Sequence, residues 1–198
     1  MNIIMDKIYH MIDTITGFDL NFKLDTKIDL SFQHIFDLIG FSAPGILFFT
    51  TIFLLRNKMN YMKYFIGGYF LTSILNTLLK YILKEPRPSN DWELFKIGIT
   101  HKKRFGYERY GMPSGHAQHC GYVLAFVTLV LNKPWVTGIY TLFTLICMYQ
   151  RYLYENHTIK QVVVGLFVGM VTGYLLFLIA TKKLVGNIKM KPDDDGPL

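Results

Sequence analysis

Residues 107–132 read YERYGMPSGHAQHCGYVLAFVTLVLN, and the change of character in the middle of this stretch decides what kind of molecule carries it. Up to Gly115 it is polar and turn-prone; Ala117–Asn132 is a charge-free, mostly apolar run. The junction Pro113-Ser114-Gly115-His116 predicts a loop that ends at a helix start. Proline fits immediately before or within a first turn, and Ser114 suits the N-cap. The unpaired N–H groups of a helix start favour an anion. His116 would stand on that first turn, where an imidazole titrating near neutrality can give or take a proton. Alone, Ser-Gly-His also describes a capped helix with a bystander histidine, so the flanking segments carry the decision.

Composition narrows the class. Hydrophobic residues make up 51% of the 198 positions, with 16 Phe and 13 Tyr. That is the balance of a single polytopic membrane domain, not a soluble globule. The formal charge of +7 would suit nucleic acid, anionic lipid or a phosphate substrate. The cations lie in loops between apolar runs, which favours lipid or phosphate and speaks against nucleic acid. Cys120 and Cys147 both fall inside apolar runs, giving neither a disulfide framework nor a Cys-based metal pattern. Asp6, Lys7 and Asp13 near the start do not read as a secretory signal, so the first apolar span is expected to direct insertion.

Five charge-free apolar runs have the length a bilayer asks for: Leu38–Leu55, Tyr64–Leu79, Ala117–Asn132, Pro134–Gln150 and Gln161–Thr181. Lys80 closes the second run, and a snorkelling lysine would let that helix continue to Leu83. Gly165, Gly169 and Gly173 recur at the spacing of close helix contacts, which we read as packing. Residues 1–17 carry Ile4, Ile8, Met11, Ile12 and Ile15 at helical spacing, predicting an amphipathic surface helix. Residues 18–32 alternate, predicting an extended arm with one apolar face. The expected fold is thus an all-α integral membrane bundle of about five transmembrane helices with an amphipathic N-terminal arm. Residues 1–37 would form the interfacial arm, 38–183 the transmembrane domain and 184–198 a flexible tail.

Five spans put alternate connections on opposite faces. The N-terminal arm, the loop 84–113 and the segment 151–160 share one face, and all the candidate chemistry falls there. Lys80 precedes Arg87-Pro88 in KYILKEPRP, PSGH comes next, and then RYLYENHTIKQ, in which Arg151 leads to His157. Cations at the mouth of a bundle are costly unless an anion neutralises them. Arginine grips phosphate oxygens through paired hydrogen bonds. Three cations, a helix N-terminus and two histidines suit phosphoryl transfer. Interface anchoring, the commoner role of Lys and Arg, accounts well for Lys84, Lys102, Lys103 and Arg104.

The three segments, in this order, resemble the signature of the type 2 phosphatidic acid phosphatase superfamily, integral-membrane lipid phosphatases related in core to vanadium haloperoxidases. The resemblance covers residues 80–161. It implies a two-step hydrolysis in which His157 attacks phosphorus and His116 protonates the leaving oxygen and then activates water. Lys80, Arg87 and Arg151 would bind phosphate oxygens, with Ser114 and the Gly115 amide completing the cradle. No metal or other cofactor is expected. Two positions depart from the family pattern: Gln150 stands where serine is usual, and Gln161 where aspartate follows the histidine. Gln161 lies one helical turn from His157, so its carbonyl can accept the Nδ1 proton without supplying charge. On this reading Gln161→Asp should preserve or raise activity. YGMPSGHAQ, EPRP and HTxxQV resemble the dolichyl diphosphatase branch, although that branch usually has serine at Gly115.

The expected partners are the lipid bilayer and a lipid diphosphate or phosphate. The expected reaction is hydrolysis of a polyprenyl diphosphate. Phosphatidic acid phosphatase activity, or an inactive scaffold or lipid-phosphate binder that lost its acid at Gln161, are the alternatives. A zinc site from His101, His116 and His119 lacks a completing acid or cysteine. Glu108 and Asp91 read as balancing nearby cations. Arg56, Lys58, Lys63, Lys133, Lys182 and Lys183 mark the other face as cytoplasmic, so the site is expected to face the lumen or periplasm, in the endoplasmic reticulum or plasma membrane. Oligomeric state is not legible in this sequence.

Overall fold

A computed structural model of the chain describes residues 32–88, 100 and 106–185. By contacts the chain divides into Met1–Ile35 and Phe36–Leu198, and the second unit holds the helices that build the site. The amphipathic helix expected over 1–17, the extended arm over 18–31 and the tail from 186 lie outside the described residues.

Among the described residues the fold is all-α. Five helices carry it: α1 (Phe32–Leu54), α2 (Met59–Leu83), α3 (Gly115–Leu131), α4 (Pro134–Leu153) and α5 (Ile159–Val185), with a 3₁₀ turn at Gly106–Arg109. They match the five apolar runs, with shifted ends. Phe32, expected in an extended arm, already belongs to α1. Lys80 does not end α2, which runs on to Leu83.

The ends have local causes. Lys84 takes a left-handed conformation (φ 48°), and its N–H closes on the Lys80 carbonyl at 3.0 Å. Pro86 and Pro88 then prevent any continuation. Asn132 ends α3 the same way at φ 49°, and Pro134 opens α4 at a position that needs no N–H donor. Thr158 and Gln161 form a reciprocal cap at the start of α5. The Gln161 N–H donates to Thr158 Oγ1 at 3.2 Å, and Thr158 N–H donates to Gln161 Oε1 at 3.3 Å.

Helix α3 is the axis of the bundle and touches α2, α4 and α5. Its closest neighbour is α5, because Gly165, Gly169 and Gly173 present bare backbone to it. A Cβ at these positions would collide with backbone at Ser114, Gln118 and Tyr122. Gly121 of α3 returns the contact against the Leu166 carbonyl. The packing expected from the glycine spacing is what the structure contains. On the opposite side Tyr122 stacks on Phe65 at 5.8 Å and donates its hydroxyl to the Phe65 carbonyl at 2.7 Å. Helix α1 packs on α4, where Thr50 and Thr51 both reach the Tyr140 hydroxyl at 3.0 Å.

Three segments are long and apolar enough to cross a membrane: Ile35–Leu54, Met59–Leu83 and Ile159–Lys183. The other two differ for physical reasons. Helix α3 has only 17 residues, and α4 carries Thr137, Thr141, Thr144, Gln150 and Arg151. Large apolar side chains point outward around the bundle, with Phe49, Phe53, Phe70, Ile82, Trp135 and Phe167 between 61% and 72% exposed. A belt of that kind has lipid, not water, as its natural neighbour.

Candidate active site

The end of the bundle where α2 and α4 finish and α3 and α5 begin gathers Lys80, Arg87, Ser114, Gly115, His116, Arg151, His157 and Gln161. After α2 the chain turns through Glu85–Pro88 and meets the loop before α3. Pro86 pairs with Tyr110 in a single antiparallel bridge, and Gly111 N–H donates to the Glu85 carbonyl at 2.7 Å. Gly111 is a close-approach position, since any Cβ there would collide with the Gln161 amide. Ser114 N–H donates to the Gln161 carbonyl at 3.0 Å, tying the start of α3 to α5. The turn from α4 to α5 closes with His157 N–H on the Arg151 carbonyl at 3.2 Å.

The cations are held by carbonyls. Lys80 is buried and donates from Nζ to the Tyr110 carbonyl at 2.9 Å. Arg87 donates from Nε to the Glu108 carbonyl at 2.9 Å and from NH1 to the Asn156 carbonyl at 3.2 Å, bridging two of the segments. Arg151 is buried against the Phe41 ring and places NH1 3.2 Å from His116 Nε2. Lys80 and Arg151 have no carboxylate ion pair among the described residues. Arg151 Nε and Ser114 Oγ are buried without a hydrogen-bond partner. A buried donor left open costs about 1–3 kcal/mol, and Arg151 Nε and Ser114 Oγ both stand open in this way.

His157 is almost fully buried, and its Nδ1 lies 3.3 Å from Gln161 Oε1. Burial, reinforced by the charges of Arg87 and Lys80, pushes its pKa down to about 2, so the ring is neutral at physiological pH. The charges of Lys80, Arg87 and Arg151 bear on both His116 and His157. Both imidazoles therefore lie in the field of the same three cations.

The capping expected of Ser114 is only half present. Ser114 occupies the N-cap position of α3, but its side chain makes no capping bond. His119 is turned away from the pocket's chemistry, with Nδ1 2.8 Å from the Gly115 carbonyl and Nε2 2.8 Å from Ser73 Oγ. That engages both ring nitrogens in packing; His101 lies outside the described residues. Sequence reasoning missed Glu85, whose carboxylate receives Gln161 Nε2 at 3.1 Å. It also missed Asn76 and Gln118, which join at 2.8 Å beneath the Pro113 loop and brace α2 against α3. A Thr-x-x-Gln capping signal is present at Thr158–Gln161; buried amides such as Asn76 leave no local signal.

Residues 61–184, more than half of the chain, match the family model of the PAP2 superfamily. The chain belongs to the PAP2 superfamily. Among curated relatives, this superfamily member is similar to a dolichyldiphosphatase of Saccharomyces cerevisiae, 29% identical over 57% of this chain and 48% of the relative. It is also similar to a palmitoyl-protein thioesterase-dolichyl pyrophosphate phosphatase fusion of Schizosaccharomyces pombe, 27% identical over 73% of this chain and 23% of the relative. The chain thus spans about half the length of the first and about a quarter of the second. No solved structure matches it significantly.

Proposed function

We propose that the protein is a membrane-embedded lipid phosphatase that hydrolyses a polyprenyl, dolichyl-type diphosphate to the monophosphate and inorganic phosphate. The observation that carries this reading is the pocket of buried Lys80 and Arg151 with the open Arg151 Nε and Ser114 Oγ. Such a set is stabilised by an oxyanion with several acceptor oxygens. Membership of the superfamily and the similarity to a dolichyldiphosphatase support the substrate class.

In the first step His157 Nε2 attacks the terminal phosphorus. An N–P bond forms as the bridging P–O bond breaks, and the electron pair leaves with the polyprenyl monophosphate oxygen, which takes a proton from His116. In the second step His116 accepts a proton from water, whose oxygen attacks phosphorus, and the N–P bond breaks to release inorganic phosphate. Lys80, Arg87, Arg151, Ser114 and the Gly115 amide hold the nonbridging oxygens, where charge accumulates. These cations supply the neutralisation, so the reading requires no metal. The prenyl tail lies in the bilayer beside the helices, a reading that the outward apolar belt supports. The site faces the lumen or periplasm, in the endoplasmic reticulum or plasma membrane.

The test is phosphate release by the purified full chain from dolichyl diphosphate, undecaprenyl diphosphate, phosphatidic acid and glucose 6-phosphate, without divalent metal. Prenyl diphosphates should be turned over fastest. A preference for phosphatidic acid would reassign the headgroup, and equal release by wild type and His157→Ala from every lipid would leave a scaffold or binder.

A further inference from the structure

The superfamily pattern puts a carboxylate beside the nucleophilic histidine, and this chain has an amide there. Gln161 is fully buried, and all four hydrogen-bonding positions of its side chain are used. Oε1 accepts from His157 Nδ1 at 3.3 Å and from Thr158 N–H at 3.3 Å. Nε2 donates to Glu85 Oε1 at 3.1 Å and to the Pro86 carbonyl at 2.8 Å. Two groups that only accept lie on one side and a backbone donor on the other, so the amide has one satisfiable orientation. Its oxygen faces His157, and the His157 ring must carry its proton on Nδ1. The lone pair is then on Nε2.

Glu85 is thus aligned with His157 through one amide. We propose that Glu85 is a positioning residue for His157: its carboxylate fixes and polarises the Gln161 amide, and supplies across it the negative charge that the superfamily's aspartate supplies directly. As His157 becomes positive on forming the N–P bond, the Gln161 carbonyl carries the stabilisation of Glu85 to Nδ1–H. The opening for this arrangement is Gly111, which leaves room for the Gln161 amide. Glu85 also pairs with Lys160 at 3.2 Å, but that lysine side chain is 71% exposed, so screening by solvent leaves the carboxylate available to Gln161.

The inference rests on the phosphatase reading, and the experiment separates the two. In the full-length protein, kcat and KM for a prenyl diphosphate are measured for wild type, His157→Ala, Glu85→Gln, Gln161→Glu, Lys160→Ala and the double swap Glu85→Gln/Gln161→Glu. Glu85→Gln is isosteric and should lower kcat by about 10- to 100-fold, the range for groups acting through an imidazole's outer partner, with KM changed less than about twofold because Glu85 is not among the residues assigned to the phosphate. Gln161→Glu sets two carboxylates together and should lose a similar factor. The double swap relieves the carboxylate pair but leaves a carboxylate oxygen against the Pro86 carbonyl, so it should recover part of the kcat lost in Gln161→Glu, a rescue that a purely structural role would not give. Lys160→Ala should stay within about twofold of wild type. Wild-type kcat in Glu85→Gln, or a double swap no better than its worse parent, overturns the relay while leaving the phosphatase reading in place. Wild type as inert as His157→Ala overturns both.

Discussion

Arg151 and His116, 35 positions apart in the chain, meet with NH1 3.2 Å from Nε2. A guanidinium only donates, so the imidazole nitrogen accepts, and His116 is held with its Nε2 lone pair toward the cation. A phosphate seated on Arg151 draws the guanidinium donors to its own oxygens and frees the His116 Nε2 lone pair to take up the proton that His116 then gives to the leaving oxygen. The pair thus couples anion binding to the acid–base group.

Arg151→Lys tests that coupling. An ammonium keeps the charge but loses the planar fork and the reach to both phosphate and His116. We expect kcat/KM for a prenyl diphosphate to fall by about 10²-fold, the scale of one transition-state donor, with the protein still folded. An activity within about twofold of wild type would mean that charge alone is used.

His116→Gln removes the proton donor while keeping a side chain that can hydrogen-bond. General acid–base catalysis contributes about 10²- to 10⁴-fold, and kcat should fall in that range. A substrate whose leaving group needs no protonation, such as a lipid nitrophenyl phosphate, should recover part of the loss in the first step.

The contacts of Gln161 favour a different outcome for Gln161→Asp from the one expected from the sequence. Gln161→Asp would place a carboxylate toward Glu85 and the Pro86 carbonyl, both of which now accept from Nε2. The variant should therefore lose activity rather than gain it, and steady-state kcat beside wild type decides the direction.

Stability should depend on pH through His157. Its folded pKa lies at about 2, below the usual imidazole value of 6.5. The unfolded chain therefore binds the extra proton first as pH falls, and His157 lowers folding stability from about pH 7 downward by at most about 1.4 kcal/mol per pH unit, added to the contribution of His116, which burial and Arg151 shift in the same direction. Thermal melts of the detergent-solubilised chain between about pH 7 and pH 5 should show this slope, and His157→Gln should make it shallower.

The axis of the bundle can be tested at two glycines. Gly169→Ala forces a Cβ into the Gln118 backbone, whereas Gly67 has open space around it. Overpacking of this kind costs about 1–3 kcal/mol. A lowered melting temperature for Gly169→Ala, with Gly67→Ala unchanged, is the expected pair of results.

The helices are legible in the sequence because the apolar runs are long and their ends are punctuated by Pro86, Pro88, Asn132 and Pro134. The gathering of Lys80, Arg87, His116, Arg151 and His157 is legible because span parity puts their segments on one face. Other features depend on contacts across the chain. Nothing near Glu85 in sequence announces that its carboxylate meets an amide 76 positions on. The open Ser114 hydroxyl reads as a cap, because serine before a helix usually is one. The 17-residue α3 reads as a span of its own, although its surroundings are mostly other helices.

The proposed chemistry stands or falls on His157 taking the phosphoryl group. The decisive measurement is brief exposure of the full chain to prenyl diphosphate labelled with radioactive phosphorus in the terminal phosphate, followed by denaturation in base. Label stable to base, labile to acid, and confined to the peptide containing His157 is the predicted result, with none in His157→Ala. Phosphate release at the wild-type rate by His157→Ala, or label on any other residue, would contradict it.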